Sequence, residues 1–589
     1  MNEDGSYVDA GMLAVSVIVP GSLAAALANN VPDAAHDGGV ARVLGLDPQV
    51  WRALDPLAGS VLSLVPLGTH ALRAALGNAL VASASGAILY VVFRELLAAC
   101  ADTARLRCVV AAIATLSALV ASPWQLESAS VGSAPGAALV LLPIAIVVGG
   151  GVDGGRSPWL AVTFSLGLAA GYEPLVGACA VSAFALLVVV GAPLRRSILL
   201  DWRARKVELS AAFLAGLSPW IVALVCARRS GFALLPALAE DWSGERGVSF
   251  SGSPVPFIRA EVGALTIVLS VAGAGLAALV PRARPVAFAL ALVVVLGFAC
   301  GKVGSPLGPT RYGAPVLAAF AAASGLAGVG MQAIVRRIAS ARVPFARASA
   351  SMVLLLALAR PVDAADDSLL RSRSGDPSAA WDDVAWGGLA PRTVVLLTEP
   401  RLYARARAAH ARGALRDDLV IVPAYTYGPL ARRALAADAS LVPLWRDLEI
   451  VGSPGEGSLS GLSGVRPVAM AYEPRWGRVL SRHLVPAALL DRFELEPRGA
   501  SDRRYALQAF VPNRDRLARM LAKDPELTFD TAYLLRARAL VVASSGDRDL
   551  VGRVVDDVRT FVPDDRVAAE ILSRESLGKG LSRFDDLRP

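Results

Sequence analysis

Between Val31 and Pro56 the chain reads VPDAAHDGGVARVLGLDPQVWRALDP, a stretch that holds Asp33, Asp37, Asp47 and Asp55. Asp33 and Asp37 stand four positions apart, so a helical turn would put them on one face. A carboxylate facing a membrane-embedded cavity can act as general base toward an acceptor hydroxyl. Asp37, followed by Gly38-Gly39, suits a helix cap or a turn equally well, and the sequence leaves both roles open. His36 reads as a turn residue and His70 lies on an apolar stretch, so no metal site is indicated.

A second set of residues could meet an anion. Arg228 and Arg229, and farther on Lys302 and Arg311, fall at the ends of apolar segments. Their charged heads could hold the phosphate of a lipid-linked donor or snorkel to lipid headgroups. Glu173, in the short turn GYEP, is an ionisable group close to apolar segments on both sides. The chain has no G-x-G-x-x-G, no G-x-x-x-x-G-K-[ST], no G-x-S-x-G and no H-E-x-x-H, so neither a nucleotide nor any other cofactor is expected.

The elements that must position these residues are membrane spans. Of 589 residues, 54% are apolar, and the mean hydropathy is +0.52, above what soluble chains show. The excess sits in the first two thirds of the chain. Eleven segments read as spans: Gly11–Ala28, Ala75–Phe93, Cys108–Ser122, Ala134–Val148, Leu160–Gly171, Leu175–Val190, Ala211–Cys226, Val262–Val280, Val286–Cys300, Ala314–Val329 and Ala348–Ala359. The start MNEDGSYVDA is acidic, which favours an uncleaved first span over a signal peptide. Leu57–Thr69 is too short to cross and would be re-entrant or interfacial. All five cysteines lie in or beside spans, in no zinc or CxxC spacing, and read as packing residues.

Charge sets the orientation. Alternate loops carry Arg94, Arg105 and Arg107; Arg156; Arg195, Arg196, Arg203, Arg205 and Lys206; Arg282 and Arg284; and Arg336, Arg337, Arg342 and Arg347. By the positive-inside rule these loops are cytoplasmic. Most of the +8 net charge is thereby explained, and nucleic acid is not implied. The outer side then carries the Asp33/Asp37 loop, Ala227–Glu261, Gly301–Gly313 and everything after Arg360.

From about Asp363 the pattern changes. Asp363–Ala390 reads as a polar linker. TVVLLT (Thr393–Thr398), DLVIVPA (Asp418–Ala424) and RPVAMAYE (Arg466–Glu473) read as strands, with helices at Pro400–Leu415 and near Pro429–Ala437, and a Gly/Ser-rich loop at Val451–Gly464. Strands alternating with helices imply a small parallel α/β unit. From about Asp502 the chain is helical, and Ala532–Ser544 with Asp547–Val562 suggests a tetratricopeptide-type hairpin. The expected organisation is a polytopic α-helical membrane domain (1–362), a linker (363–390), an α/β domain (391–500) and a helical TPR-like tail (501–589).

Several stretches together resemble the bacterial polytopic membrane proteins with domain of unknown function 2723, which look like members of the GT-C clan of membrane glycosyltransferases. His36-Asp37-Gly38-Gly39-Val40, Asp55-Pro56-Leu57-Ala58-Gly59, LSLVPLGTHALRAALGNALVASASGA, SLGLAAGYEP, AGLSPWIVALVCARRS and Asp241-Trp242-Ser243-Gly244 carry the resemblance, with DDLVIVPA and RPVAMAYE in the second half. It implies a GT-C-like fold, an active site near the first outer loop, and sugar transfer from a polyprenyl-phosphate-sugar donor to a protein or glycan acceptor at the inner membrane of a bacterium. Asp37 carries over as the catalytic acid residue, with Asp33 and Asp55 as the nearest alternatives. Arg228, Arg229, Arg311, Glu173 and Asp55 would serve the donor and substrate. Val40 stands where the family has Glu, Asp55 where it has His, and Tyr172-Glu173 where it has paired His. A catalytically degenerate membrane scaffold of the same fold is therefore the second reading.

Overall fold

The computed structural model describes residues 3–28, 51–55, 61–62, 64, 66, 68–100, 104–150, 158–229, 262–300, 312–341, 345–372, 377–424, 438–522, 524–576 and 587. Asp33, Asp37, Lys302, Arg311 and the helix expected near Pro429–Ala437 lie outside them.

The first part is a helical bundle: α1 (Glu3–Ala28), α2 (His70–Cys100), α3 (Ala104–Leu119), α4 (Ser122–Ala129), α5 (Ala134–Gly150), α6 (Trp159–Tyr172), α7 (Pro174–Val190), α8 (Ala192–Arg229), α9 (Ala264–Leu279), α10 (Arg284–Cys300), α11 (Ala314–Ala339) and α12 (Ala346–Ser372). Each expected span overlaps one of these helices, though Cys108–Ser122 runs past the end of α3 to the start of α4. By length and composition α1, α2, α8 and α11 can each cross a membrane, and α3 with α4, bent by 65°, makes a further candidate. The apolar stretches of the other helices have 10–17 residues, that of α12 being Ala348–Ala357.

The bundle is built around α11. Every side chain from Ala314 to Gly330 is buried, which is possible because APVLAAFAAASGLAGVG is a thin, small-residue helix that lets neighbours approach closely. Gly325 receives the ring of Phe93, and Gly330 faces the backbone of Leu269. Gly273 of α9 meets the Leu326 carbonyl, and Gly297 of α10 meets the Pro315 carbonyl. A Cβ at any of these would collide. Gly167 of α6 and Gly216 of α8 likewise bring two backbones together. At the end of the bundle where α1 begins, Asp9 ties α1 to α2 by accepting from Tyr90 Oη (2.7 Å) and from Arg94 Nη1 (2.8 Å).

The second part has a five-stranded sheet, β1 (Val394–Leu397), β2 (Val420–Pro423), β3 (Val468–Met470), β4 (Leu484–Ala487) and β5 (Leu490–Phe493), in the order β2-β1-β3-β5-β4. The three expected strands are present and parallel, with Val394 opposite both Val420 and Val468. The sheet is nevertheless mixed, because β5 runs antiparallel to β3 and β4. The expected linker is helical over much of its length: α12 continues to Ser372, and α13 (Pro377–Asp382) leads into a π-helical turn, Asp383–Gly387. Trp381 and Trp386, on this stretch, are wholly buried in the sheet's core. A short helix, Glu456–Ser463, also occupies the expected Gly/Ser loop, where Leu459 and Leu462 supply an apolar face.

Behind the sheet stand α14 (Pro400–Ala411), α15 (Ala500–Met520), α16 (Pro525–Ser545), α17 (Arg548–Phe561) and α18 (Arg566–Ser576). The expected hairpin is α16–α17, turned at Gly546 in the left-handed region (φ 91°). One hydrophobic cluster runs from Trp381 through the sheet to Ile571. Buried guanidinium groups cross it. Arg405 Nε donates to Asp530 (2.7 Å), Arg401 pairs with Glu526 (3.3 Å) and Asp530, and Arg538 Nε meets Asp491 (3.3 Å). The two parts of the chain touch where Ala408 and Ala411 of α14 meet Ala74 of α2 and Val131.

Candidate functional site

At the end of the bundle where α2 and α11 begin, residues from five places in the chain converge. Pro174 stops α6 and opens α7, leaving Glu173 extended between them (φ −157°, ψ 139°). Its carboxylate makes no cap bond and instead accepts from Arg52 Nη2 at 3.3 Å. The same nitrogen donates to Ser133 Oγ (3.2 Å), and the guanidinium lies 5.8 Å from the Tyr172 ring centroid.

Arg52 is held by its backbone too. Its N–H donates to the Tyr172 carbonyl at 2.7 Å, and its φ of 57° is one that a residue with a Cβ adopts only when its surroundings fix it. Tyr172 Oη donates to Asp55 Oδ1 (3.3 Å), and Trp51 stacks on Trp220 of α8 at 5.3 Å. Residues 51–55 are therefore clamped on the α6–α7 turn. Burial alone would lower the pKa of Arg52, but Tyr172, Glu173, Asp55 and Glu127 carry it above its ordinary value. Its charge is permanent.

Glu127 is the third buried carboxylate here. Its Oε2 accepts from Ser133 N (2.7 Å) and its Oε1 from Tyr312 N (2.9 Å), so it joins the α4–α5 turn to the start of α11. Gly132 is required beside it, since a Cβ would strike this carboxylate. Asn78 of α2 holds the same turn, donating to the carbonyls of Glu127 (3.2 Å) and Ser130 (2.6 Å). Three carboxylates thus surround one guanidinium in a set of groups fixed by hydrogen bonds.

A cavity of about 450 Å³ runs between α1 and α2. Its walls include Val17, Ile18, Gly21, Leu76 and Leu80, and Arg73 lines it five residues before Asn78. The apolar walls suit a hydrocarbon chain, and the guanidinium, which also donates to the Gly68 carbonyl (3.2 Å), suits an anion.

Of the residues singled out from sequence, Glu173 and Asp55 meet at this centre. Arg228 and Arg229 do not; they end α8 with exposed side chains, about 12 Å along the helix from Trp220. Asp33 and Asp37 belong to the segment between α1 and Trp51, and Arg311 precedes Tyr312, but all three lie outside the described residues. Arg52, Arg73, Asn78, Glu127 and Tyr312 were not singled out. Glu127 carried a signal: an acid inside the largely apolar run ASPWQLESASVG is costly unless it has work to do. Among the described residues no cluster of three or more His, Cys, Asp or Glu is placed to hold a metal ion.

No family model matches the sequence, and no curated protein matches it. Among solved structures the chain is similar to ArnT from Cupriavidus metallidurans in the apo state, with 16% identity, a TM-score of 0.50, and coverage of 82% of this chain and 97% of that one. ArnT from the same organism bound to undecaprenyl phosphate aligns with a TM-score of 0.48 and 16% identity over 78% of this chain and 93% of that one. The chain is thus a multi-pass membrane protein with a GT-C-like fold, shared with ArnT along nearly the whole of that protein.

Proposed function

We propose that this protein is a membrane glycosyltransferase that moves a sugar from a polyprenyl-phosphate-linked donor to an acceptor hydroxyl at the outer face of the inner membrane. The observation that carries this reading is the apolar cavity with Arg73 along its wall, on the same helix as Asn78, which holds the turn of the polar centre. A lipid chain in the cavity would leave its phosphate at Arg73, within an ArnT-like fold.

Asp37 is the proposed base. The acceptor oxygen attacks the anomeric carbon as the bond to the phosphate oxygen breaks, and the acceptor's proton passes to the Asp37 carboxylate. The electron pair leaves with the polyprenyl phosphate, where Arg73 offsets the growing negative charge; Arg228, Arg229 and Arg311 are the further basic candidates. The hydroxyl's pKa far exceeds that of a carboxylate, so proton transfer accompanies bond formation. Asp33 is the nearest alternative base. Asp55 hydrogen-bonds with Tyr172 and serves to position residues 51–55.

The test is glycan formation from polyprenyl-linked sugars by wild type, Asp37→Asn and Arg73→Ala at equal expression. Asp37→Asn is expected to lower turnover by about 10²–10⁴, and Arg73→Ala to raise the donor KM. Undiminished turnover in Asp37→Asn rules that base out. A wild type silent with every donor rejects the enzyme reading in favour of the scaffold.

A further inference from the structure

α8 is longer than a crossing requires. Its 38 residues extend about 57 Å at 1.5 Å each, against a hydrocarbon core of about 30 Å. Arg205 leaves helical geometry (φ −134°, ψ 30°) and divides the helix there. The part beyond it packs on α6 through Gly216 and Gly167 and is long enough to span alone.

The part before it, 192–204, is an arm laid against the end of the bundle where α6 begins. Trp159 Nε1 donates to Ser197 Oγ at 3.1 Å, and Leu194 and Ile198 pack on the bundle core. The other side of the arm is unlike an ordinary solvated face. Leu199, Leu200 and Trp202 are 53%, 68% and 49% exposed. Arg195, Arg196 and Arg203 are exposed among them, as is Lys206 just past the break. Helical spacing sets these residues in two adjoining rows, Arg195–Leu199–Trp202 and Arg196–Leu200–Arg203. Apolar and cationic groups therefore alternate along one surface. Five basic side chains and one acidic one, Asp201, fall between 192 and 206, while Arg205 is engaged by Glu208 at 2.8 Å.

We propose that this arm lies in the membrane interface and binds anionic phospholipid headgroups. Leu199, Leu200 and Trp202 enter the boundary of the acyl chains, and Arg195, Arg196, Arg203 and Lys206 meet phosphate oxygens. The excess of positive charge selects anionic over zwitterionic lipid. The alternation is what separates this surface from a site for a soluble anion, which has no use for an exposed Trp and two Leu. The proposal is independent of the sugar-transfer reading.

The experiment takes the full-length protein in a non-ionic detergent and titrates it with phosphatidylglycerol or phosphatidylcholine, reading the melting temperature and the lipids retained in native mass spectra. Phosphatidylglycerol is expected to raise the melting temperature and to be retained, and phosphatidylcholine to do neither. Each basic group at an anionic surface contributes about five-fold in affinity. The triple variant Arg195→Gln, Arg196→Gln, Arg203→Gln should therefore need about 100-fold more phosphatidylglycerol for the same effect. The triple Lys variant, which preserves charge and controls for folding, should respond as wild type does. Leu199→Ser with Trp202→Ser should weaken retention with the charge intact. Equal retention by wild type and the Gln triple, an equal response to the two lipids, or a Leu199/Trp202 variant that binds as wild type would each overturn the proposal.

Discussion

Arg52 and Glu173 stand 121 positions apart in the chain and meet at 3.3 Å with both side chains buried. Two charges taken out of water in this way return little net stability as a pair, but either one left alone is expensive. Arg52→Ala or Glu173→Ala should each destabilise the protein by about 3–5 kcal/mol. The double variant Arg52→Met, Glu173→Leu should recover part of that loss, because Asp55 and Glu127 still lose the same guanidinium. Melting in detergent measures it, and single variants that melt with wild type would show that the pair does not hold the α6–α7 turn.

The sheet and the helices after residue 500 are expected to fold as one body. Asp530 on α16 receives both Arg401 and Arg405 from α14. Asp530→Ala would leave two guanidinium groups buried against each other, at a cost of about 3–5 kcal/mol. A fragment of residues 377–576 should melt cooperatively, while 377–500 should not fold. A cooperative transition in the shorter piece would separate the tail as its own unit.

Glu399 gives the second part a pH dependence of known sign. Its carboxyl is pushed above the usual range, first by burial; Arg401 opposes the shift, and Asp530 and Glu473 reinforce it. The folded value thus exceeds the unfolded one of about 4.3. The contribution to stability is full below that value and is lost as pH rises through the folded pKa. Glu399→Gln should therefore melt above wild type at pH 7, with the two converging near pH 4. A difference that stays constant from pH 4 to 8 would contradict this.

By the positive-inside rule the charge alternation is expected to put everything after α12 on the outer side. A topology reporter fused after Ser372 should be active only there. Cytoplasmic activity would invert the bundle and carry the Asp37 loop to the other face with it.

The apolar helices and the three parallel strands were legible because length and apolar runs report them directly. Thr393–Thr398 and Asp418–Ala424 contain β1 and β2 within two residues at each end. The β4–β5 hairpin was not legible as strands. Its turn is Ala488-Leu489, with Ala488 at φ 56°, and no Asn-Gly or Asp-Gly announces it. Tertiary support, including Arg538 Nη2 donating to the Ala488 carbonyl at 2.6 Å, holds the strained residue. At the site, Glu173 was visible because it interrupts an apolar stretch. Arg52 was not, since an arginine in a charged loop reads as solvated. Only the fold brings Tyr172 and Ser133 around it.

The burial of α11 bears on how the protein is made. Synthesis runs from the N-terminus, so α1 to α10 are made before the helix they surround exists. Glu127 must wait for the N–H of Tyr312, 185 positions later, and Phe93 for the hollow at Gly325. The early helices must stay loosely associated, with a slot open at their middle, until the penultimate bundle helix slides in and closes the polar centre. A ribosome stalled before residue 314 would therefore hold a chain in which Glu127 lacks the N–H of Tyr312 and the site is unfinished.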